Sequence, residues 1–380
     1  MAARNLPDGK SPTGIYAHIV GWGMAVPDNI MTNDDLAAIV ETNDEWIVSR
    51  TGIKERRIAT EKDSTATLAH RAAQKALNEA NILPQDIDLI VVATSTPEHV
   101  FPSTASVVQD WLGASNAGAF DLAAACSGFV YALNMAADSI KSGSIETAVV
   151  IGAETMSRVL DWQDRSTCIL FGDGAGAVVL QASQEHGGVL SSVLRSDGAG
   201  ADLLAIPTTN NPNLNGHKVQ KMHMAGREVF KFATRVVDDS IRQAVSLAGI
   251  EMKDVSLVVP HQANQRILAS AAKKLGLDIE MFVSNLDRYG NTSAASIPIA
   301  LCEAIEGNRV KTDDYLVFVG FGGGLSWASM VIKWLPDAVR VEPGALNQQR
   351  REFQYTWARW RSRIQRWQRA ISRFFGRFSS

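Results

Sequence analysis

ALNEANILPQDIDLIVVATS, residues 76–95, and AVSLAGIEMKDVSLVVPHQA, residues 244–263, are one pattern written twice. Each reads as a helix end, a short connection carrying an aspartate, and an apolar strand. Ala80 falls on Ala248, Ile82 on Ile250, Asp86 on Asp254 and Leu89 on Leu257, always 168 residues apart. The same spacing lays AVVIGAE (148–154) over LVFVGFG (316–322), with Gly152 on Gly320. Two unrelated helix–strand units would not keep one register at two separated places. The strands are continuous Val/Ile/Leu runs, as expected of sheets buried on both faces. Two such halves predict a layered α/β architecture with a pseudo-twofold axis, around which equivalent loops meet.

The register also places the one cysteine that stands in a conspicuous setting. FDLAAACSGFVYAL (120–133) passes from an apolar strand into a helical pattern through small residues, and Cys126 sits at the change. Position 294, its counterpart, lies in RYGNTSAASIPIAL (288–301), where Ala300 and Leu301 match Ala132 and Leu133. Cys126 is therefore expected near a helix N-terminus, where unpaired N–H groups and the helix dipole favour thiolate. A buried structural thiol is the alternative. In the second half the strand SLVVP ends at His261, a carboxyl-terminal strand end where α/β sheets hold ligands. The turn YGNTS carries Asn291. Cys, His and Asn together suit either a cysteine hydrolase or carbanion chemistry on a thioester, with His and Asn donating to the thioester oxygen.

The bulk composition narrows the class. The chain has 380 residues, 46% hydrophobic and 20% charged, ordinary for a soluble globular protein. No apolar run approaches the roughly 18–20 residues of a membrane span, and the first residues lack the apolar stretch of a secretory signal. Three cysteines with no CxxC argue against a disulfide framework or a metal site, and a reducing cytoplasm is expected. Cys168 and Cys302 stand in apolar contexts and read as core thiols. GDGAGA (172–177) and GFGGG (320–324) lack both the lysine and the spacing of phosphate-binding loops and read as close-packed turns.

In these residues the chain resembles the β-ketoacyl-acyl-carrier-protein synthase III family, the initiating condensing enzymes of bacterial fatty-acid synthesis. The resemblance spans roughly residues 14–336. It rests on TNDEWIVSRTGIKERRIA (42–59), AACSGFVYAL (124–133), ILFGDGAGAVVL (169–180), PHQANQRI (260–267), GNTSAASIP (290–298) and FGGGLSW (321–327). It implies the thiolase-like fold, two duplicated α/β halves in a five-layered αβαβα arrangement, residues 14–185 and 186–336, in a homodimer. It implies no cofactor and no metal, the substrates being acyl-CoA and malonyl-acyl-carrier protein.

By the same resemblance, Cys126 takes the acyl group. His261 and Asn291 hold the malonyl thioester through decarboxylation, and backbone N–H groups of Cys126 and Gly323 form the oxyanion hole. Trp46 and Arg165 would sandwich the adenine of CoA, with Arg50 near its phosphates. Phe101 would close the partner's acyl pocket and favour short primers. Lys231, Arg266, Lys273 and Lys274 would receive the acidic carrier protein. A type III-like enzyme of secondary metabolism or of longer acyl chains, a cysteine thioester hydrolase, and a catalytically silent scaffold are the alternatives.

The family pattern stops near Leu335. A linker is expected over 337–349, then a basic amphipathic helix over 350–380. From Arg350 on there are nine arginines and one acid, Glu352, so the tail carries +8 and residues 1–349 carry −11 of the −3 total. Phe353, Trp357, Trp360, Ile364, Trp367, Ile371, Phe374 and Phe378 follow at alternating steps of four and three, one apolar stripe on a helix. Peripheral contact with an anionic membrane, a self-association or partner seam, and docking on the acidic body or the carrier protein all fit this pattern. Nothing else in the chain supports nucleic-acid binding.

Overall fold

A computed structural model describes residues 13–211 and 218–338. Of the tail it describes Phe353, residues 355–357, Trp360, Arg361, Ile364, Trp367 and Gln368. Of the linker expected over 337–349, Asp337 and Ala338 end a short 3-10 turn, Pro336–Ala338, and residues 339–349 lie outside the described residues, as do the stripe residues Ile371, Phe374 and Phe378.

Two mixed sheets form the frame. The first contains β1 (Tyr16–Ala25), β2 (Leu89–Ala93), β3 (Gly118–Leu122), β4 (Thr147–Thr155) and β5 (Asp173–Ser183), in the order β1-β5-β4-β2-β3. The second contains β6 (Gly188–Ser196), β7 (Val255–Pro260), β8 (Tyr315–Gly322) and β9 (Ser326–Lys333), in the order β7-β8-β9-β6. Read from β7, the second sheet repeats the first without its edge strand β3. In both, the repeated strands run parallel, β2 with β4 and β7 with β8, and the following strand returns antiparallel. Every residue of β4 is buried, and alternate residues serve opposite faces: Val150 joins the central core while Val149 and Ile151 join an outer one. That division is why the strand reads as an unbroken apolar run.

The helices complete five layers. α1 (Asp44–Thr51) belongs to an excursion before the first repeat. α2 (Thr65–Ala80) and α3 (Thr104–Leu112) cover the outer face of the first sheet. α4 (Gly128–Lys141) and α7 (Ser296–Glu306) lie between the sheets, sharing one core with β2, β4, β7 and β8. α5 (Gly226–Leu247) and α6 (Gln265–Leu275) cover the outer face of the second sheet. α4 and α7 are the helices that follow Cys126 and its counterpart, so the duplication delivers both turns to the middle of the molecule.

The repeats interleave at glycine. A Cβ on Gly152 would lie 2.2 Å from the carbonyl oxygen of Ala294, and one on Gly320 would lie 2.9 Å from Ser127 Cα and 3.0 Å from Cys126 O. Each half's strand thus presses backbone to backbone on the other half's turn.

Candidate active site

Cys126 lies in a short 3-10 turn, Ala125–Ser127, that runs directly into α4, and it is 6% exposed. Ala125 holds φ +44°, a left-handed value that turns the chain sharply off β3. The counterpart turn, Ser293–Ala295, runs into α7, and Ser293 holds φ +50°. Two equivalent elbows therefore face each other, one bearing a thiol. The sulfur reaches its counterpart, since Cys126 Sγ donates to Ser293 Oγ at 3.5 Å.

One expectation from the sequence is corrected here. The helix start was expected to favour thiolate, but burial pushes the Cys126 thiol up to about 12, with the hydrogen bond to Ser293 opposing and Glu154 adding to the rise. Desolvation of the sulfur outweighs the local dipoles, and the resting group is a thiol.

His261 follows β7 directly and is buried; its N–H donates to Val319 O at 2.7 Å. Its ring stands edge-on to Phe321 with centroids 5.1 Å apart. Burial pulls it down to about 3, so it is neutral throughout the working pH range. Nδ1 lies 2.7 Å from Ser296 Oγ, whose single proton serves either Nδ1 or the carbonyl of Ser293, 2.8 Å away. When it goes to Nδ1, Nε2 carries the ring proton and is a donor. Asn291 is fixed by backbone bonds to Leu170 O and from Gly172 N. Its Oδ1 accepts from Ser293 N–H at 2.8 Å, which leaves the NH2 end as its remaining donor.

Cys126, His261 and Asn291 line one cavity of about 90 Å³, with Phe321, Leu204 and Val229 supplying apolar walls. The three candidates separated by 165 residues of chain are thus brought together. Gly322, which the sequence did not single out, presses on the thiol: a Cβ there would stand 3.0 Å from Cys126 N and 3.2 Å from Sγ. Gly323 packs beside Ala125 and Leu204. Phe101 is 86% exposed and does not line this cavity.

A second cluster stands at the rim. Arg50 and Arg165 both stack on Trp46, with guanidinium carbons 4.6 and 5.2 Å from the indole centroid. Asn264, which lines the cavity, donates to Arg50 O at 2.9 Å and ties this cluster to the cavity mouth. Lys231 on α5 and Arg266, Lys273 and Lys274 on α6 are exposed on one outer layer. Lys231 pairs with Glu228 and Lys274 with Asp238, each at 3.0 Å. Arg227 and Arg235, four residues either side of Lys231, extend the same exposed face; their helical spacing was the missed signal. Cys168 and Cys302 are fully buried thiols. Among the described residues no three His, Cys, Asp or Glu side chains gather as a metal site.

Two duplicated α/β halves with a cysteine elbow, a buried His and an Asn around one pocket define a condensing enzyme of the thiolase fold. Residues 120–198 match the family model for 3-oxoacyl-[acyl-carrier-protein] synthase III, and residues 245–334 match that of its C-terminal part. The chain is 50% identical over 320 residues to the β-ketoacyl-[acyl-carrier-protein] synthase III of Clostridium acetobutylicum, covering 83% of this chain and 98% of that protein. It is 51% identical over 321 residues to the synthase III of Desulfitobacterium hafniense DCB-2, covering 83% and 97%. The crystal structure of the Aquifex aeolicus synthase III aligns with TM-score 0.79 at 47% identity, over 84% of this chain and all of that one. The chain belongs to the β-ketoacyl-acyl-carrier-protein synthase III family, and it is an acyltransferase.

Proposed function

We propose that this enzyme condenses an acyl-CoA primer with malonyl-acyl-carrier protein, giving β-ketoacyl-acyl-carrier protein, CoA and CO2, the step that starts fatty-acid synthesis. The observation that carries the reading is the meeting of Cys126, His261 and Asn291 in one small, apolar-walled cavity. Cys126 attacks the primer thioester and keeps the acyl group. The NH2 of Asn291 and Nε2–H of neutral His261 then hydrogen-bond the malonyl thioester oxygen. Donors fixed where charge develops favour loss of CO2 and the enolate it leaves. The enolate carbon attacks the acyl carbon, and the oxyanion formed there is held by N–H groups of Cys126 and Gly323. No cofactor takes part in this scheme.

Supporting groups follow from their placement. Trp46, Arg50 and Arg165 take the nucleotide of CoA at the cavity rim, Arg165 moving off the indole to admit the adenine. The exposed basic face of α5 and α6 receives the acidic carrier protein. The free edge of β3, with exposed Phe120, and the exposed Phe101 suit a homodimer in which each Phe101 reaches the partner's pocket. A cytoplasmic enzyme is the setting proposed; among the described residues no helix is long and apolar enough to cross a membrane.

The tail adds peripheral membrane contact to this proposal. Its described residues are helical; Tyr355 is buried against the body, while Phe353, Trp357, Trp360, Ile364 and Trp367 are exposed. Exposed aromatics on a strongly basic helix suit an anionic lipid surface.

Mass spectrometry after incubation with a panel of acyl-CoAs should show acyl transfer to Cys126 and the chain lengths accepted. A radiolabelled malonyl thioester should then lose CO2 and form a carbon–carbon bond; hydrolysis without either would favour a thioesterase and sink the synthase reading. Flotation with anionic liposomes should carry the full-length protein and not one lacking residues 340–380. Equal behaviour of the two would refute membrane contact, and a tail-dependent change of oligomeric size would favour the seam.

A further inference from the structure

Glu154 has no part in the scheme above, yet it lies two hydrogen bonds from the reacting sulfur. It is the penultimate residue of β4 and fully buried, and by the 168-residue register its counterpart is Gly322, the residue pressed on Cys126. Each half therefore sets one residue against the opposite elbow. Beside the thiol that residue is glycine, which leaves room for a thioester; beside the second elbow it is a carboxylate that fills the room. The filled site is wired to the open one. Cys126 Sγ donates to Ser293 Oγ at 3.5 Å, and Ser293 Oγ donates to Glu154 Oε1 at 2.9 Å. An ionised carboxylate only accepts, so the hydroxyl proton of Ser293 points to Glu154 and its oxygen faces the thiol.

We propose that Ser293 and Glu154 form the route by which the Cys126 proton leaves during acylation and comes back when the product forms. Ser293, which touches the sulfur, is the catalytic residue of the pair; Glu154, which acts through it, is a positioning residue. This inference rests on the acylation of Cys126 proposed above. As the sulfur–acyl carbon bond forms and the acyl carbon–sulfur bond to CoA breaks, the thiol gives its proton to Ser293, and Ser293 gives its own to Glu154. The CoA thiolate leaves and takes a proton from water. In the condensation the enolate carbon bonds to the acyl carbon and the bond to Cys126 breaks. The cysteine thiolate then recovers the proton through Ser293, and Glu154 is ionised again.

The surroundings favour Glu154 as acceptor. Ser95 N–H, Thr94 Oγ1 and Thr96 Oγ1 also donate to its carboxylate, so the anion is solvated by the protein. Burial nevertheless pushes it up to about 7, which makes it far more basic than His261, pulled down to about 3. A protonated Glu154 also adds no negative charge near the enolate when that forms. Other ionisable groups on the segments around it include Cys126, Asp173 on β5, Glu98 and His99 beyond β2, and His70 on α2. Asp173 is held by Ala59 N, Ser157 N and Ser157 Oγ, and Glu98 accepts from Ala66 N.

Quenched-flow mass spectrometry of the full-length protein with acetyl-CoA, from pH 5.5 to 9, tests this. Wild-type acylation should slow below about pH 7, because a protonated Glu154 cannot accept. Glu154→Gln should slow acylation at pH 7.5 at least about tenfold, the lower end of general acid–base contributions, and flatten that limb. Ser293→Ala should do the same with the carboxylate still in place, and it decides the matter should Glu154→Gln not fold. Release of CO2 from malonyl-carrier protein without primer moves no cysteine proton, so in both variants it should fall several-fold less than acylation does. Wild-type acylation rates and pH profile in both variants would overturn the proposal. So would an equal fall of acylation and decarboxylation, which marks a purely structural role. No acylation of the wild type would instead overturn the synthase reading.

Discussion

Adding one methyl group at Gly152, and separately at Gly320, tests the interleaving that makes the site. At Gly152 the new carbon would stand 2.2 Å from Ala294 O, 2.8 Å from Ala294 C and 3.2 Å from Ala295 Cα. Every one of these atoms is backbone, in an elbow whose first residue already holds positive φ. No side-chain tip can swing aside, so the second elbow must shift by about 1 Å to restore contact distance. Overpacking a tight core costs about 1–3 kcal/mol and sometimes more; a backbone overlap this deep belongs at about 3 kcal/mol or above.

Gly320→Ala meets Ser127 Cα at 2.9 Å and Cys126 O at 3.0 Å, a shallower overlap worth about 1–2 kcal/mol. With an unfolding entropy of about 2.1 cal/mol/K per residue, the chain as a whole loses about 4 °C of Tm for the first change and about 1–3 °C for the second. The order should invert for chemistry: Gly320→Ala moves the nucleophile itself and should slow Cys126 acylation the more per kcal/mol lost. Calorimetry and acyl transfer by mass spectrometry measure both. Gly152→Ala melting within 1 °C of wild type would refute the backbone-on-backbone contact, and unchanged acylation in Gly320→Ala would refute its tie to the sulfur.

Ser296→Ala removes the partner of His261 Nδ1, the hydroxyl that keeps the ring proton on Nε2 when its own proton points to the ring; decarboxylation should fall about tenfold while acylation stays within about twofold. Equal loss of both would indicate collapse of α7 instead. Trp46→Ala removes the ring on which Arg50 and Arg165 stack, and KM for acyl-CoA should rise about tenfold with kcat little changed, as expected for one lost stacking contact. An unaltered KM would place CoA elsewhere. Glu154 is held near 7 against an ordinary 4.5, so its stabilising contribution is present below about pH 4.5 and lost as pH rises through 7. Urea unfolding of wild type should therefore weaken relative to Glu154→Gln by about 3 kcal/mol over that interval, and parallel curves would refute the raised value.

The parts of this molecule that could be read beforehand are those whose physics is local. β2 and β7 announce themselves because strands buried on both faces are almost wholly apolar, Ser256 at the start of β7 being the one exposed polar residue between them, and the connections before them keep their length. That constancy preserved the 168-residue register through β4 and β8. β5 and β9 are equivalent in the sheets but not in the register, because the Trp162 region precedes one and only the short Gly323–Leu325 turn precedes the other. The cysteine's position at an elbow was legible from its small neighbours. Its protonation was not, because the depth at which α4 and α7 bury it is a property of both sheets together. Glu154 was invisible for a related reason. Its partners come from residues 94–96 and 293, and nothing near it in the chain reveals that they converge.

The duplication also accounts for how one fold made of two similar halves supports a single asymmetric reaction. Equivalent elbows would give two equivalent nucleophile positions, and the chain keeps the geometry of both, down to the positive φ of Ala125 and Ser293. What differs is the residue that each opposite strand presents. Gly322 leaves the first elbow open to a thioester, so a sulfur there is useful; Glu154 closes the second, so a sulfur there could meet no substrate. Once closed, the second elbow is free to hold polar groups in place of a nucleophile. Its segment supplies Asn291, Ser293 and Ser296, which fix an amide, contact the thiol and orient His261. The half that lost the nucleophile's place thus became the half that positions the groups serving it.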